Sequence, residues 1–134
     1  MPAHLTLFRQ LPPSVEAELG RRLADYARTP APAATIAGIV DLGEGTALRV
    51  ESEALEDIRH DLALALHGLL TPQDMAAWRP HITIQNKVEP GEAKRLQAQL
   101  RAGFERRPLA IKGLAVWRYL GGPWEPAKQF VFRG

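Results

Sequence analysis

The sequence predicts an α+β fold: a duplicated, two-lobed domain with antiparallel sheets lining a central cleft and helices on the outside. Three observations lead there. A strand-like motif is written twice, as His4-Leu5-Thr6-Leu7-Phe8 and as His81-Ile82-Thr83-Ile84-Gln85. Each copy is followed by a turn containing Pro, an amphipathic helical pattern and a pair of strand patterns. Matching positions also keep nearly constant offsets: 77 residues between the two His, and 75 between Gly38 of Ile36-Ala37-Gly38-Ile39 and Gly113 of Ile111-Lys112-Gly113-Leu114. Self-similarity of this kind marks a duplicated unit. Two such units about a pseudo-twofold axis would bring both motif strands to one cleft.

Side chains two apart on a strand share a face. His4 and Thr6 therefore project together, with Leu5 and Leu7 behind them, and His81 and Thr83 do the same in front of Ile82 and Ile84. After Leu11-Pro12-Pro13, Ser14 is the expected N-cap of a helix to about Arg28, with Glu16 and Glu18 in its opening turns and a stripe of Val15, Leu19, Leu23 and Tyr26. Thr29-Pro30-Ala31-Pro32 breaks that helix. Ala34–Leu42 and Thr46–Glu51 read as a hairpin around Gly43-Glu44-Gly45.

Ser52 is placed to cap the next helix, whose stripe is Leu55, Ile58, Leu62 and Leu69 with Leu66 beside it. Thr71-Pro72-Gln73-Asp74 has the cap, first-turn Pro and acidic residue of a short helix ending near Trp78. Pro80 then opens the second motif strand, where a missing N–H is tolerated. Glu89-Pro90-Gly91 turns the chain into a helix with the stripe Ala93, Leu96, Leu100 and Phe104. Leu109–Tyr119 reads as a long strand, Gly121-Gly122-Pro123 as a turn, and Lys128–Phe132 as its partner. Trp117, Tyr119 and Trp124 gather around that hairpin, either as packing residues or as a stacking surface. The expected organisation is one domain over residues 1–134, with lobe 1 near 1–52, connector helices near 53–78 and lobe 2 near 79–134.

The 134 residues suit one domain with its own core. The absence of Cys excludes disulfides, thiolate zinc sites and a Cys nucleophile, and fits a cytoplasmic location. No apolar run is long enough to span a membrane and the start does not read as a signal peptide, so no membrane partner is expected. Charge is uneven. Residues 1–67 carry 6 Lys/Arg against 10 Asp/Glu, whereas residues 68–134 carry 11 against 5. A basic second half suits a phosphate-bearing ligand, though a solvated surface has the same signature. Arg9, Arg79, Lys87 and Arg118 are candidate cleft cations on the same terms.

The two His-x-Thr faces permit acid–base displacement at phosphorus. Free imidazole titrates near pH 6.5, so one ring can take a proton from the attacking oxygen while the other gives one to the leaving oxygen. The two Thr hydroxyls can donate to the non-bridging oxygens, where negative charge builds up. The scheme calls for no cofactor and no metal. His60 and His67 lie seven apart on one helical face, but without a third ligand nearby they read as surface residues. Walker, Rossmann and His-Glu-x-x-His patterns are absent. The only Ser residues, Ser14 and Ser52, are accounted for as caps.

These residues resemble the 2H phosphoesterase superfamily, and its bacterial 2′-5′ RNA ligase / cyclic phosphodiesterase branch in particular. The stretch from Leu70-Thr71-Pro72-Gln73-Asp74 through Arg79-Pro80-His81-Ile82-Thr83-Ile84-Gln85-Asn86-Lys87-Val88 is similar to small bacterial members, as is Ala3-His4-Leu5-Thr6-Leu7-Phe8. The resemblance implies a metal-independent site acting on 2′,3′-cyclic phosphate ends or 2′-5′ phosphodiester bonds of RNA or nucleotides, with reverse 2′-5′ ligation as a related activity. His4 and His81 would be the catalytic pair, in either assignment of acid and base, and Thr6 and Thr83 would bind phosphate. Members usually carry a strand and helix ahead of the first motif. Here His4 is almost at the terminus, so the expectation is that either the chain starts late or the N-terminal strand is missing from the sheet; a missing strand would expose an edge, and a homodimer or strand exchange covering it is a hypothesis that follows. The competing expectations are a non-catalytic nucleotide- or RNA-end-binding domain of the same fold, and a structural domain in which the His-Thr faces are incidental.

Overall fold

The computed structural model describes residues 3–118 and 124–134. Pro12 and Pro13 fix a one-turn 3₁₀ segment, Pro13–Val15, that runs directly into α1 (Glu16–Ala27). Ser14 was the expected cap but lies inside that turn and makes no capping bond. The two prolines already have the φ a first turn needs, so the helix begins ahead of the hydroxyl. The hairpin follows as predicted, with β1 (Thr35–Asp41) antiparallel to β2 (Thr46–Glu51). Ser52 accepts a hydrogen bond from the Leu55 N–H and caps α2 (Glu53–Ala65), and Thr71 caps α3 (Pro72–Met75) through the Asp74 N–H. α2 stops at Ala65, and Gly68 takes φ +84° just beyond it. As a result Leu66 is fully buried, whereas Leu69, expected in the stripe, is exposed. His67 also lies past the helix end, so His60 and His67 do not share a helical face.

The second motif forms β3 (His81–Gln85), and α4 (Pro90–Ala102) starts at the proline read as part of a turn. Of the predicted strand 109–119, residues 109–112 form no strand and Gly113–Arg118 do, with a separate two-residue strand just ahead of them. β4 (Arg107–Pro108) pairs with β1, and β5 (Gly113–Arg118) pairs with β6 (Glu125–Val131). The Leu109 N–H still donates to the Ala34 carbonyl at 2.9 Å beside β1, and the chain then crosses to the second sheet over residues 109–112. Tyr119 and the expected Gly121-Gly122-Pro123 turn lie outside the described residues.

Among the described residues the strands form two antiparallel sheets, a four-stranded one in the order β3-β2-β1-β4 and a two-stranded one, β5-β6. Packing crosses the chain order. α1 lies against β5 and β6, while α4 lies against β1 and β2. Leu19 and Leu23 of α1, Leu62 of α2 and Leu114 of β5 make one buried cluster, with Leu7, Phe8, Leu11, Val116, Phe130 and Phe132 against it. The Tyr26 hydroxyl donates to Asp61, tying α1 to α2. Burial and that bond push the phenol up to about 12.

The first motif departs from expectation. Residues 4–8 form no strand among the described residues. Burial still alternates, with His4 and Thr6 exposed and Leu5 and Leu7 half-buried. The segment is apolar on the predicted side, and the Thr6 and Leu7 carbonyls accept from side chains of the connector.

Gly45 is required by a close approach. A Cβ there would stand 2.2 Å from the Gln85 carbonyl oxygen, at the end of the second motif strand. Overpacking of this kind typically costs about 1–3 kcal/mol. Gly45→Ala is therefore expected to lower stability by at least that range in urea unfolding, whereas Gly103→Ala, with open space around it, should not.

Candidate functional site

β3 holds His81 and Thr83 on one face of the four-stranded sheet. His81 pairs with Arg49, and Thr83 with Ala47. The half-buried His81 ring donates from Nδ1 to the Arg79 carbonyl oxygen at 2.8 Å. A carbonyl only accepts, so this bond fixes the tautomer and leaves Nε2 as the nitrogen that can gain or lose a proton. The strand is extended backwards by the Val50 N–H, which donates to the Pro80 carbonyl at 3.0 Å.

The motif's alternation breaks after Thr83. Thr46 pairs with Gln85 and Ala47 with Thr83, so Ile84 is an extra residue, a β-bulge. Ile84 was expected behind the His-Thr face but is 45% exposed, because a bulged residue loses its place in the pleat. The far end of β3 is pinned by a buried polar chain. Gln97 of α4 donates to Thr46 Oγ1 (3.1 Å), and the Thr46 hydroxyl donates to Gln85 Oε1 (2.9 Å). The Gln97 amide also reaches the Gly45 carbonyl and Asp41 Oδ1. The Gly43 N–H and then Gln97 hold the Asp41 carboxyl below the usual carboxylate range.

Arg49 was not singled out from sequence, yet it stands directly across from His81 on the same face. Its guanidinium donates to the Ala37 carbonyl, freed by a second bulge, and pairs with Glu51. Gly38 leaves it room, since a Cβ there would come within 3.2 Å of the guanidinium nitrogens. Glu51 also pairs with Arg106 at 2.6 Å, so one carboxylate is shared by two cations. Those two arginines, Arg106 foremost, hold the Glu51 carboxyl low. No local sequence signal marked Arg49; only strand register reveals it. Of the cations that were singled out, Arg118 is occupied by Glu16 at 2.6 Å, Arg79 supplies the carbonyl for His81, and Lys87 takes φ 56° directly after the motif strand.

Three connector side chains hold the first motif. Trp78 Nε1 donates to the Thr6 carbonyl at 3.0 Å, and Arg59 Nε donates to the Leu7 carbonyl at 2.9 Å. The Asp74 carboxylate accepts from the Arg9 and Gln10 N–H groups at 2.9 and 3.0 Å. His4 and Thr6 are exposed on this segment. An open depression of about 360 Å³ beside α2 is lined by Glu56, Asp57, Arg59, His60, Ala63 and Trp78 and by none of the four motif side chains.

No helix among the described residues is long and apolar enough to cross a membrane. No individual curated protein matches the chain. The family model of the 2′-5′ RNA ligase superfamily matches residues 1–123, nearly the whole length and both His-x-Thr motifs. The chain therefore belongs to the 2′-5′ RNA ligase superfamily, which is the 2H phosphoesterase superfamily.

Proposed function

We propose that this protein is a phosphodiesterase that opens 2′,3′-cyclic phosphate ends, or cleaves 2′-5′ phosphodiester bonds, of RNA or nucleotides. His4 and His81 are its acid–base pair and Thr6 and Thr83 its phosphate-binding hydroxyls. The four-stranded sheet then carries the His81-Thr83 face, and the segment held by the connector side chains carries the His4-Thr6 face, the two meeting at one anion-sized site. The observation that carries this reading is the bond from Trp78, three residues before His81, to the Thr6 backbone. It draws the approach to the second motif against the first.

The chemistry follows from the groups present. One imidazole, neutral, accepts a proton from the attacking water as its oxygen bonds to phosphorus. The P–O bond to one ribose oxygen breaks, and the other imidazole, protonated, donates to that oxygen. His81 would act through Nε2, since Nδ1 is committed to the Arg79 carbonyl. The Thr hydroxyls donate to the non-bridging oxygens as charge accumulates there. With a 5′-hydroxyl of a second RNA end in place of water, the same steps form its bond to phosphorus as the P–O bond to the 3′ oxygen of the cyclic phosphate breaks, which would be a 2′-5′ ligation.

The test is incubation with 2′,3′-cyclic nucleotides, followed by ³¹P NMR. Catalytic conversion to a single monophosphate isomer is expected. Saturable binding without conversion would contradict the enzyme reading and leave the nucleotide-binding one.

A further inference from the structure

We propose that Arg59, Asp74 and Trp78 form a clamp that sets the position of His4 and Thr6, and so are positioning residues for the reaction; this rests on the phosphodiesterase reading above. A catalytic group is placed by whatever bonds the backbone that carries it, and three connector side chains bond the backbone of the first motif.

Four backbone groups between Thr6 and Gln10 are bonded by these three side chains, across 52 to 72 residues of sequence. The clamp is itself braced. Arg59 Nη2 donates to the Asp74 carbonyl at 2.7 Å, and Thr71 Oγ1 caps the Asp74 N–H. The Arg59 guanidinium lies over the Phe8 ring at 4.7 Å and the Trp78 ring at 5.4 Å. Phe8 in turn packs on the leucine cluster. Asp74 is only 3% exposed. A buried carboxylate is retained where its hydrogen bonds are satisfied, and here two N–H groups of the motif segment satisfy it.

Every one of these bonds ends on backbone. The clamp therefore dictates where the segment runs without touching the reacting atoms. Loosening it should move His4 and Thr6 while leaving His81 and Thr83, held separately by β2 and the Gln97 chain, in place. A displacement of about 1 Å in a catalytic group costs on the order of 10²-fold in rate.

Three variants test this on the full chain. Asp74→Asn keeps the shape but can accept from only one of the two N–H groups. Arg59→Lys keeps the charge but loses the fork. Trp78→Phe keeps the ring and removes a single bond, and it serves if Asp74→Asn fails to fold. For 2′,3′-cyclic nucleotide hydrolysis, kcat should fall about 10²-fold in Asp74→Asn and roughly 10-fold in Trp78→Phe, with KM within a few-fold. Inorganic phosphate should still shift the His81 ring signals as in wild type, while the His4 response shrinks. Ile36→Ala, which truncates a buried β1 side chain outside the leucine cluster on which Phe8 packs, should keep its kcat where folded, which separates positioning from loss of stability. Folded clamp variants with wild-type kcat and an undiminished His4 response would overturn the clamp alone. An inactive wild type whose rings both ignore phosphate would overturn the phosphodiesterase reading, and the clamp's catalytic role with it.

Discussion

His81→Ala is expected to lower turnover of a 2′,3′-cyclic nucleotide by about 10²–10⁴-fold, the typical contribution of one positioned acid or base, and His4→Ala by a similar factor. The reason is specific to each ring. His81 is oriented by the Arg79 carbonyl, so its loss removes a proton carrier whose reactive nitrogen was already chosen. His4 is exposed on a segment held by connector side chains, so its loss removes the partner that works from the other motif. The losses should fall on kcat, because in the proposed mechanism the phosphate is bound by Thr6 and Thr83 and not by either imidazole. Paired groups act in one transition state, so the double variant should be little worse than the poorer single one. The bell-shaped pH dependence of kcat/KM that a neutral and a protonated imidazole produce should lose one limb in each variant. Far-ultraviolet circular dichroism and unfolding midpoints like those of wild type would show that the fold is intact.

Leu62→Ala is expected to cost about 2–5 kcal/mol of stability, read as a lower urea midpoint with an unchanged slope. Leu62 is 1% exposed and packs with Leu19, Leu23 and Leu114. These four come from α1, α2 and β5, so one side chain joins the beginning, middle and end of the chain. Truncation loses the transfer free energy of the missing carbons and leaves a cavity that three separate elements cannot all close. Against the roughly 5–15 kcal/mol that stabilises most domains, that is a large share. Leu64, two residues on and 64% exposed, is the contrast: its alanine variant should stay within about 0.5 kcal/mol of wild type.

What was legible in the sequence was what is local. The α1 stripe of Leu19 and Leu23, the hairpin around Gly43-Glu44-Gly45, the caps at Ser52 and Thr71 and the second motif strand all rest on neighbours within a turn or two. The His-x-Thr pair was legible as a repeat, and the family match covers both copies. What failed needed distant partners. Gln97 was not singled out from sequence, yet it is 2% exposed because the β1–β2 turn offers its amide three acceptors. Ile84 fits perfect alternation, and only register against Thr46 and Ala47 exposes the bulge. The strand pattern of Leu5 and Leu7 was real as a burial pattern, but no periodicity could show that Arg59, Asp74 and Trp78 would bond the backbone of this segment. The pairing of Arg49 with His81 is hidden for the same reason.

The account depends above all on both imidazoles serving one anion. The most direct measurement is a titration of the folded protein with inorganic phosphate, following the ring ¹H–¹⁵N signals of His4 and His81, with those of His60 and His67 as internal references. The account predicts that the His4 and His81 signals move together along one saturation curve with a single Kd, while the other two stay still. Curves with different Kd values, or a response from only one of the pair, would contradict it.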